Sequence, residues 1–184
     1  MDLTEKKVGG KVIYDGYVVH LHLDDILLPD GKDAKREVIR HSGAVCIAPI
    51  TKDKELIFVR QFRYAVGKEL LELPAGRIDI NEDPQITGIR ELREETGFIA
   101  DKVNYIGRLY PTPGYSDEMI WLYACTIDPE KGETDFDEGE FVETVTIPLD
   151  KAVDMVMNDE LFDSKTQILL LRLNEALRSG KIEL

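Results

Sequence analysis

The 184-residue sequence predicts an α/β protein: a mixed sheet sandwiched by helices, with a small antiparallel β unit at the N-terminus. Three observations carry this. Short apolar runs of strand length fill the first half, separated by Gly, Pro and Asp turns. One strongly punctuated helix interrupts them after residue 83, and further strands then give way to two helices at the C-terminal end. The length suits one medium domain with a small appendage, and a hydrophobic fraction of 43% supplies a core. The expected organisation is an N-terminal β unit over residues 1–41 and a main domain over 42–184.

Lys11–Tyr14 and Tyr17–Leu23 read as strands joined by Asp15-Gly16, a hairpin turn. Asp25–Leu28 reads as a third strand, Pro29-Asp30-Gly31 as a turn, and Arg36–His41 as a further extended segment. His20 and His22 share one strand face, but no Cys or third His joins them, and a structural role is expected. Gly43–Pro49 and Leu56–Gln61 are apolar strands around a charged turn, and Leu70–Pro74 is a further apolar stretch. Val103–Tyr110, Met119–Ile127 and Phe141–Pro148 read as strands. Leu149–Asn158 and Ser164–Ser179 read as helices, the second with Ile168, Leu169, Leu171, Leu173 and Leu177 on its inner side.

The central helix has clear limits. Asp83 suits the N-cap, Pro84 the first helical position, and Gly97 the left-handed stop. Ile86, Ile89 and Leu92 share one side of the wheel. Glu91, Glu94 and Glu95 fall on the opposite side in one narrow arc. Like charges at i, i+4 destabilise a helix by roughly 0.2–0.5 kcal/mol, and acids are unfavourable in a last turn. The arc is therefore either a solvated face of an acidic protein or a seat for a hard divalent cation, which takes oxygen ligands.

Charge and composition narrow the function. A net charge of −13 opposes binding to nucleic acid or to an anionic membrane surface. No run approaches the roughly 18 apolar residues of a membrane span, and the N-terminus lacks an apolar signal region. Cys46 and Cys125 sit far apart in apolar stretches, as buried free thiols of a reducing compartment do, so a cytoplasmic location is expected.

The spacing Gly76, Glu82, Arg90-Glu91-Leu92, Glu94-Glu95, Gly97-Phe98 resembles the Nudix box, the signature of the Nudix hydrolases, with all seven fixed identities and both apolar positions present. The Nudix fold is an α/β/α sandwich, in agreement with the order of elements. The resemblance implies pyrophosphate hydrolysis with Mg²⁺, or Mn²⁺ in its place. Glu91 and Glu95 are the first-choice metal ligands, and the backbone carbonyl of Ala75 is a further ligand implied by the family. Glu94 is either a ligand through water or a partner of Arg90, and Glu82 either a distant ligand or a holder of Arg90. Arg90 is expected to orient the glutamates, Gly76 to allow a sharp backbone turn. Gly88 inside the helix carries no expected role.

Four further stretches resemble the ADP-ribose pyrophosphatase branch: the N-terminal unit through Arg36-Glu37-Val38, the run Val59–Tyr64, the loop Pro113–Glu118 with Pro113 fifteen residues beyond Phe98, and the helical tail after Pro148. In that branch the general base comes from an acidic loop after the box. Here the loop is Phe136–Glu143, with Glu138 expected as base and Glu140 as metal ligand; the alternative is a solvated acidic loop. Arg36 and Arg63 are expected contacts to phosphate or ribose, alternatively surface ion pairs. Tyr17 is the candidate to stack on adenine and Pro113 the candidate proline of the substrate loop. The resemblance further implies a homodimer whose N-terminal strands complete the partner's site, and a nucleotide-sugar substrate.

Overall fold

The computed structural model describes residues 1–127, 132, 134–135 and 141–184. The chain divides into two compact units, residues 1–43 with 110–119, and residues 44–109 with 120–184.

The first unit is an antiparallel meander of β1 (Lys6–Asp15), β2 (His20–Leu27) and β3 (Asp33–Arg40). The expected hairpin forms, but its turn is longer than the two residues Asp15-Gly16: Asp15 is the last residue of β1, paired with His20, and residues 16–19 make the connection, with the Gly16 N–H donating to the Val19 carbonyl at 2.9 Å. The expected third strand at Asp25–Leu28 is not separate. It is the end of β2, because β1 and β3 both run long enough to pair with it as far as Leu27. The loop of residues 110–119 is bound to β3: the Ile39 N–H donates to the Tyr115 carbonyl at 2.8 Å, and the Asp117 carboxylate accepts from the His41 N–H and from Arg40. Asp24 is buried within the meander and held by Lys7 and Arg40, so its charge is paired rather than stranded.

The second unit is built on a seven-stranded sheet of order β10-β5-β4-β9-β8, with β6 added to β5 and β7 to β4. The strands are β4 (Ala44–Ile50), β5 (Glu55–Arg63), β6 (Lys68–Glu72), β7 (Ala75–Arg77), β8 (Ala100–Leu109), β9 (Ile120–Ile127) and β10 (Val142–Pro148). β4 and β9 pair in parallel and the other pairs are antiparallel, which makes the sheet mixed, as expected.

β4 is covered on both faces and is apolar throughout for that reason. Its side chains alternate between two cores. Val45 and Ile47 join Ile57, Ile78, Leu92, Tyr123 and Cys125 on the face of α1 (Pro84–Thr96). Cys46, Ala48 and Ile50 join Phe58, Leu122, Leu169, Leu170 and Leu173 on the face of α2 (Leu149–Met157) and α3 (Ser164–Arg178). This is the α/β/α layering predicted from the order of elements. On α3 the inner side is shifted from expectation: Leu170 is buried and Leu171 exposed.

Candidate active site

α1 begins and ends where its sequence says. The Asp83 carboxylate accepts from the Gln85 N–H at 2.8 Å, Pro84 opens the helix, and Gly97 closes it at φ 75° with its N–H on the Arg93 carbonyl. Of the apolar side Ile86, Ile89 and Leu92, only Leu92 is buried. Thr87, Gly88, Leu92, Glu95 and Thr96 are buried, whereas Ile86 is 55% exposed. The glutamate arc therefore lies against the sheet. Gly88 has a packing role after all, because a Cβ there would stand 3.0 Å from the Val45 Cγ1.

Arg90 is the hub of this inward arc. Its guanidinium donates to both Glu82 oxygens at 3.1 and 3.0 Å, to Glu91 at 2.8 Å, to Glu94 at 2.9 Å, and to the Arg77 carbonyl at 3.3 Å. Glu82 also accepts from the Thr87 hydroxyl at 2.8 Å. The hydrogen bonds from Arg90 hold the Glu82 carboxyl far below its ordinary range, at about 2. In return, the bonds to Glu82 and the charges of Glu91 and Glu94 raise Arg90 above its usual value. Glu82 and Glu94 are both ion-paired with Arg90.

Gly76 does not turn the backbone; it lies in strand β7 and outside the positive-φ region. It provides room. A Cβ at this position would sit 1.9–2.3 Å from the Glu91 carboxyl group, so only a glycine lets that carboxylate approach the strand. One residue earlier, the Ala75 N–H donates to Glu95 at 3.1 Å. β7 thus receives Glu91 on one residue and Glu95 on the preceding one. Three carboxylates (Glu82, Glu91, Glu94) share the Arg90 guanidinium, and a fourth, Glu95, accepts from the Ala75 N–H. Carboxylates gathered in a half-buried setting repel one another, and a cation among them offsets that cost. The donor set is hard oxygen, which fits Mg²⁺ or Mn²⁺ and not a thiophilic metal. Among the described residues no three Asp, Glu, His or Cys side chains form a metal-ligating group. Glu138 and Glu140 lie outside the described residues.

The other predicted residues are engaged as follows. Arg63 gives two N–H groups to Glu72, at 2.7 and 2.8 Å. Arg36 is paired with Glu5. Tyr17 is exposed in the β1–β2 turn, and Pro113 lies in the loop that joins β3 in the first unit. Sequence reasoning missed Glu72, which is 1% exposed and also bound by Lys165. Its signal was a carboxylate inside the otherwise apolar run Leu70–Leu73. Burial raises the Glu72 carboxyl, but the Arg63 hydrogen bonds and the Lys165 charge outweigh it and hold the group at about 2.

The model of the NUDIX domain matches residues 39–173. The chain belongs to the Nudix family. This Nudix protein is 38% identical to an ADP-ribose pyrophosphatase of Bacillus subtilis (strain 168), over 97% of this chain and 98% of that protein. It is 37% identical to a methanol dehydrogenase activator of Bacillus methanolicus, over 95% and 96% of the two chains. A solved structure titled as an ADP compounds hydrolase superposes with a TM-score of 0.83 at 21% identity, covering 98% of each chain, and shares the fold.

Proposed function

We propose that this Nudix protein hydrolyses the pyrophosphate bond of ADP-ribose, giving AMP and ribose 5-phosphate, with Mg²⁺ or in its place Mn²⁺. One observation carries the reading above the rest. The box glutamates are not a solvated face: they are folded inward onto β7, with Gly76 cleared for the Glu91 carboxylate and Arg90 holding the set in place. The chain-long likeness to an ADP-ribose pyrophosphatase supports the choice of substrate.

In this reading Glu91, Glu95, the Ala75 carbonyl and Glu140 hold the divalent cation, and Glu94 with Arg90 keeps the set aligned. The cation, when bound, neutralises charge on the phosphate oxygens and polarises phosphorus. Water adds to phosphorus, the bridging P–O bond breaks, and the proton of the water passes to the Glu138 carboxylate. Arg90 is engaged by three glutamates and the Arg77 carbonyl, so it orients them and leaves substrate to other groups. Arg36 and Arg63 serve the phosphates and ribose, Tyr17 the adenine, and Pro113 shapes the substrate loop. The Glu72 pair leaves Arg63 fixed in direction, as a phosphate fork needs.

A homodimer through residues 1–41, with 42–184 as the hydrolase domain, completes the proposal. It is supported by β1, all ten of whose residues are exposed in the single chain, Val8, Val12, Ile13 and Tyr14 among them. The buried free thiols of Cys46 and Cys125 support a cytoplasmic setting. No helix among the described residues is long and apolar enough to cross a membrane.

A second reading is a regulatory Nudix module that binds ADP-ribose or NAD without turnover; the likeness to a protein named for activating methanol dehydrogenase supports only its regulatory part. Incubation with ADP-ribose, with and without Mg²⁺, beside UDP-glucose, diadenosine polyphosphates and nucleoside triphosphates separates the two. Metal-dependent AMP and ribose 5-phosphate, released faster than any other product, is the expected result. Faster turnover of another nucleoside diphosphate-sugar would replace the substrate, and ADP-ribose binding without any turnover would establish the regulatory reading.

A further inference from the structure

The strand that receives the glutamates is short. β7 has three residues, and it receives Glu91 at Gly76 and Glu95 at Ala75. The residues just before it, Glu72 and Leu73, are seized by the N-terminal turn of α3, more than ninety residues later in sequence.

The Leu73 N–H donates to the Thr166 hydroxyl at 2.9 Å. Glu72 accepts from the Lys165 ammonium. Lys165 in turn lies 3.0 Å from Asp163, the N-cap of α3, whose other oxygen accepts from the Thr166 N–H at 2.9 Å. Thr166 is fully buried and the Lys165 side chain is only 13% exposed. A buried ammonium is costly in an apolar layer unless its geometry is closed. Its own environment is closed by Asp163 and Glu72, whose charges offset the burial and keep it protonated. From this clamp the chain runs two residues to Ala75, whose N–H holds Glu95, and three to Gly76, which lodges Glu91. Between them the Pro74 carbonyl accepts from the Ile47 N–H at 2.9 Å, fixing the step onto β4.

We infer that Lys165 and Thr166 are positioning residues for the Glu91–Glu95 carboxylate pair, acting through Glu72 and Leu73 on β7. The inference rests on the reading that Glu91 and Glu95 hold the divalent cation. α3 is then more than a cover for the sheet. Its first turn sets the height of β7 beneath α1, and its remaining turns bury leucines.

The test measures Mn²⁺ binding directly, from the electron paramagnetic resonance of free Mn²⁺, on the full chain without substrate and at a temperature where near-ultraviolet circular dichroism shows native packing. Thr166→Val removes the hydroxyl and keeps the shape; Thr166→Ser restores it; Lys165→Met and Lys165→Arg do the same for the charge. Groups hydrogen-bonded to metal ligands typically change affinity by about 10- to 100-fold, and the clamp, which reaches the glutamates through Glu72 and Leu73, is placed at the low end of that range. Thr166→Val and Lys165→Met are therefore expected to weaken Mn²⁺ binding on the order of 10-fold, and to lower kcat for ADP-ribose more than they raise KM. Thr166→Ser is expected to return to within about twofold of the original affinity. A clamp that serves stability alone lowers the melting temperature and leaves Mn²⁺ affinity in the folded protein unchanged; that outcome overturns the inference. Should Lys165→Met fail to fold, Thr166→Val and its serine counterpart decide. Glu95→Gln is the control. If it too binds Mn²⁺ at full affinity, the assignment of the metal to Glu95 falls, and if it alone weakens binding, only the role of the clamp falls.

Discussion

α1 and α3 lie on opposite faces of the same sheet, and each is capped by an aspartate. What they bury differs. α3 turns Leu169, Leu170, Leu173 and Ala176 into the core, with Thr166 alone as a polar exception. α1 turns in Thr87, Gly88, Glu95 and Thr96, with Leu92 alone as a large apolar anchor. The first helix is therefore held against the sheet mainly by small residues and fixed hydrogen bonds, the second by apolar area. Small residues bring the α1 backbone close to β4 and its carboxylates within reach of β7. The contrast separates where stability resides from where chemistry resides, as it does when like charges are concentrated for function at a cost to folding.

The comparison is broken most directly from the α3 side. Leu173→Ala empties a fully buried site in the larger core. It is expected to cost about 3 kcal/mol and to leave kcat/KM of the folded enzyme near its original value. Chemical denaturation and steady-state kinetics on the same sample check both halves. Loss of activity without loss of stability would erase the distinction between the helices.

Gly76→Ala probes the α1 side. The new methyl occupies the space of the Glu91 carboxyl group, so that side chain must leave β7. A loss of kcat/KM of about 100-fold is expected, comparable with removal of a metal-supporting group. The metal concentration for half-maximal activity should rise with it. An alanine enzyme with full activity and unchanged metal demand would show that Glu91 does not work from its place on β7.

Ile86→Ala is the smallest effect. Its side chain projects into solvent, so stability should change by less than about 0.5 kcal/mol. An unfolding free energy lower by several times that amount would mean that Ile86 is covered in solution, by a second copy of the chain or by a substrate loop.

The limits of α1 and the presence of the first hairpin could be read from the chain because they depend on near neighbours. Asp83, Pro84 and Gly97 act within one helical turn, and Asp15-Gly16 within one hairpin. The carboxylate spacing of the box is equally local, since i, i+4 is fixed by helix geometry. Ile86 shows where local reading fails. A wheel sorts residues by angle, but the side that turns inward depends on what the facing strand offers. Here β4 and β7 offer a close backbone approach and an N–H, not an apolar trough. Glu72 and Lys165 were hidden for a related reason: each looks like a surface charge in its own segment, and only their meeting makes them a buried pair.

By itself the sequence determined the α/β class, most of the strands and the three helices, the caps of α1, the box with its glutamates, and thereby the family. These follow from short-range sterics and hydrogen bonding, which the order of residues dictates. Only the tertiary structure decided that the glutamate arc faces the sheet, that Gly76 is a space for a carboxylate and not a bend, and that the first turn of α3 grips the residues leading into β7. Each of these is a contact between segments distant along the chain, and its energy comes from desolvation and fit between surfaces that exist only after folding.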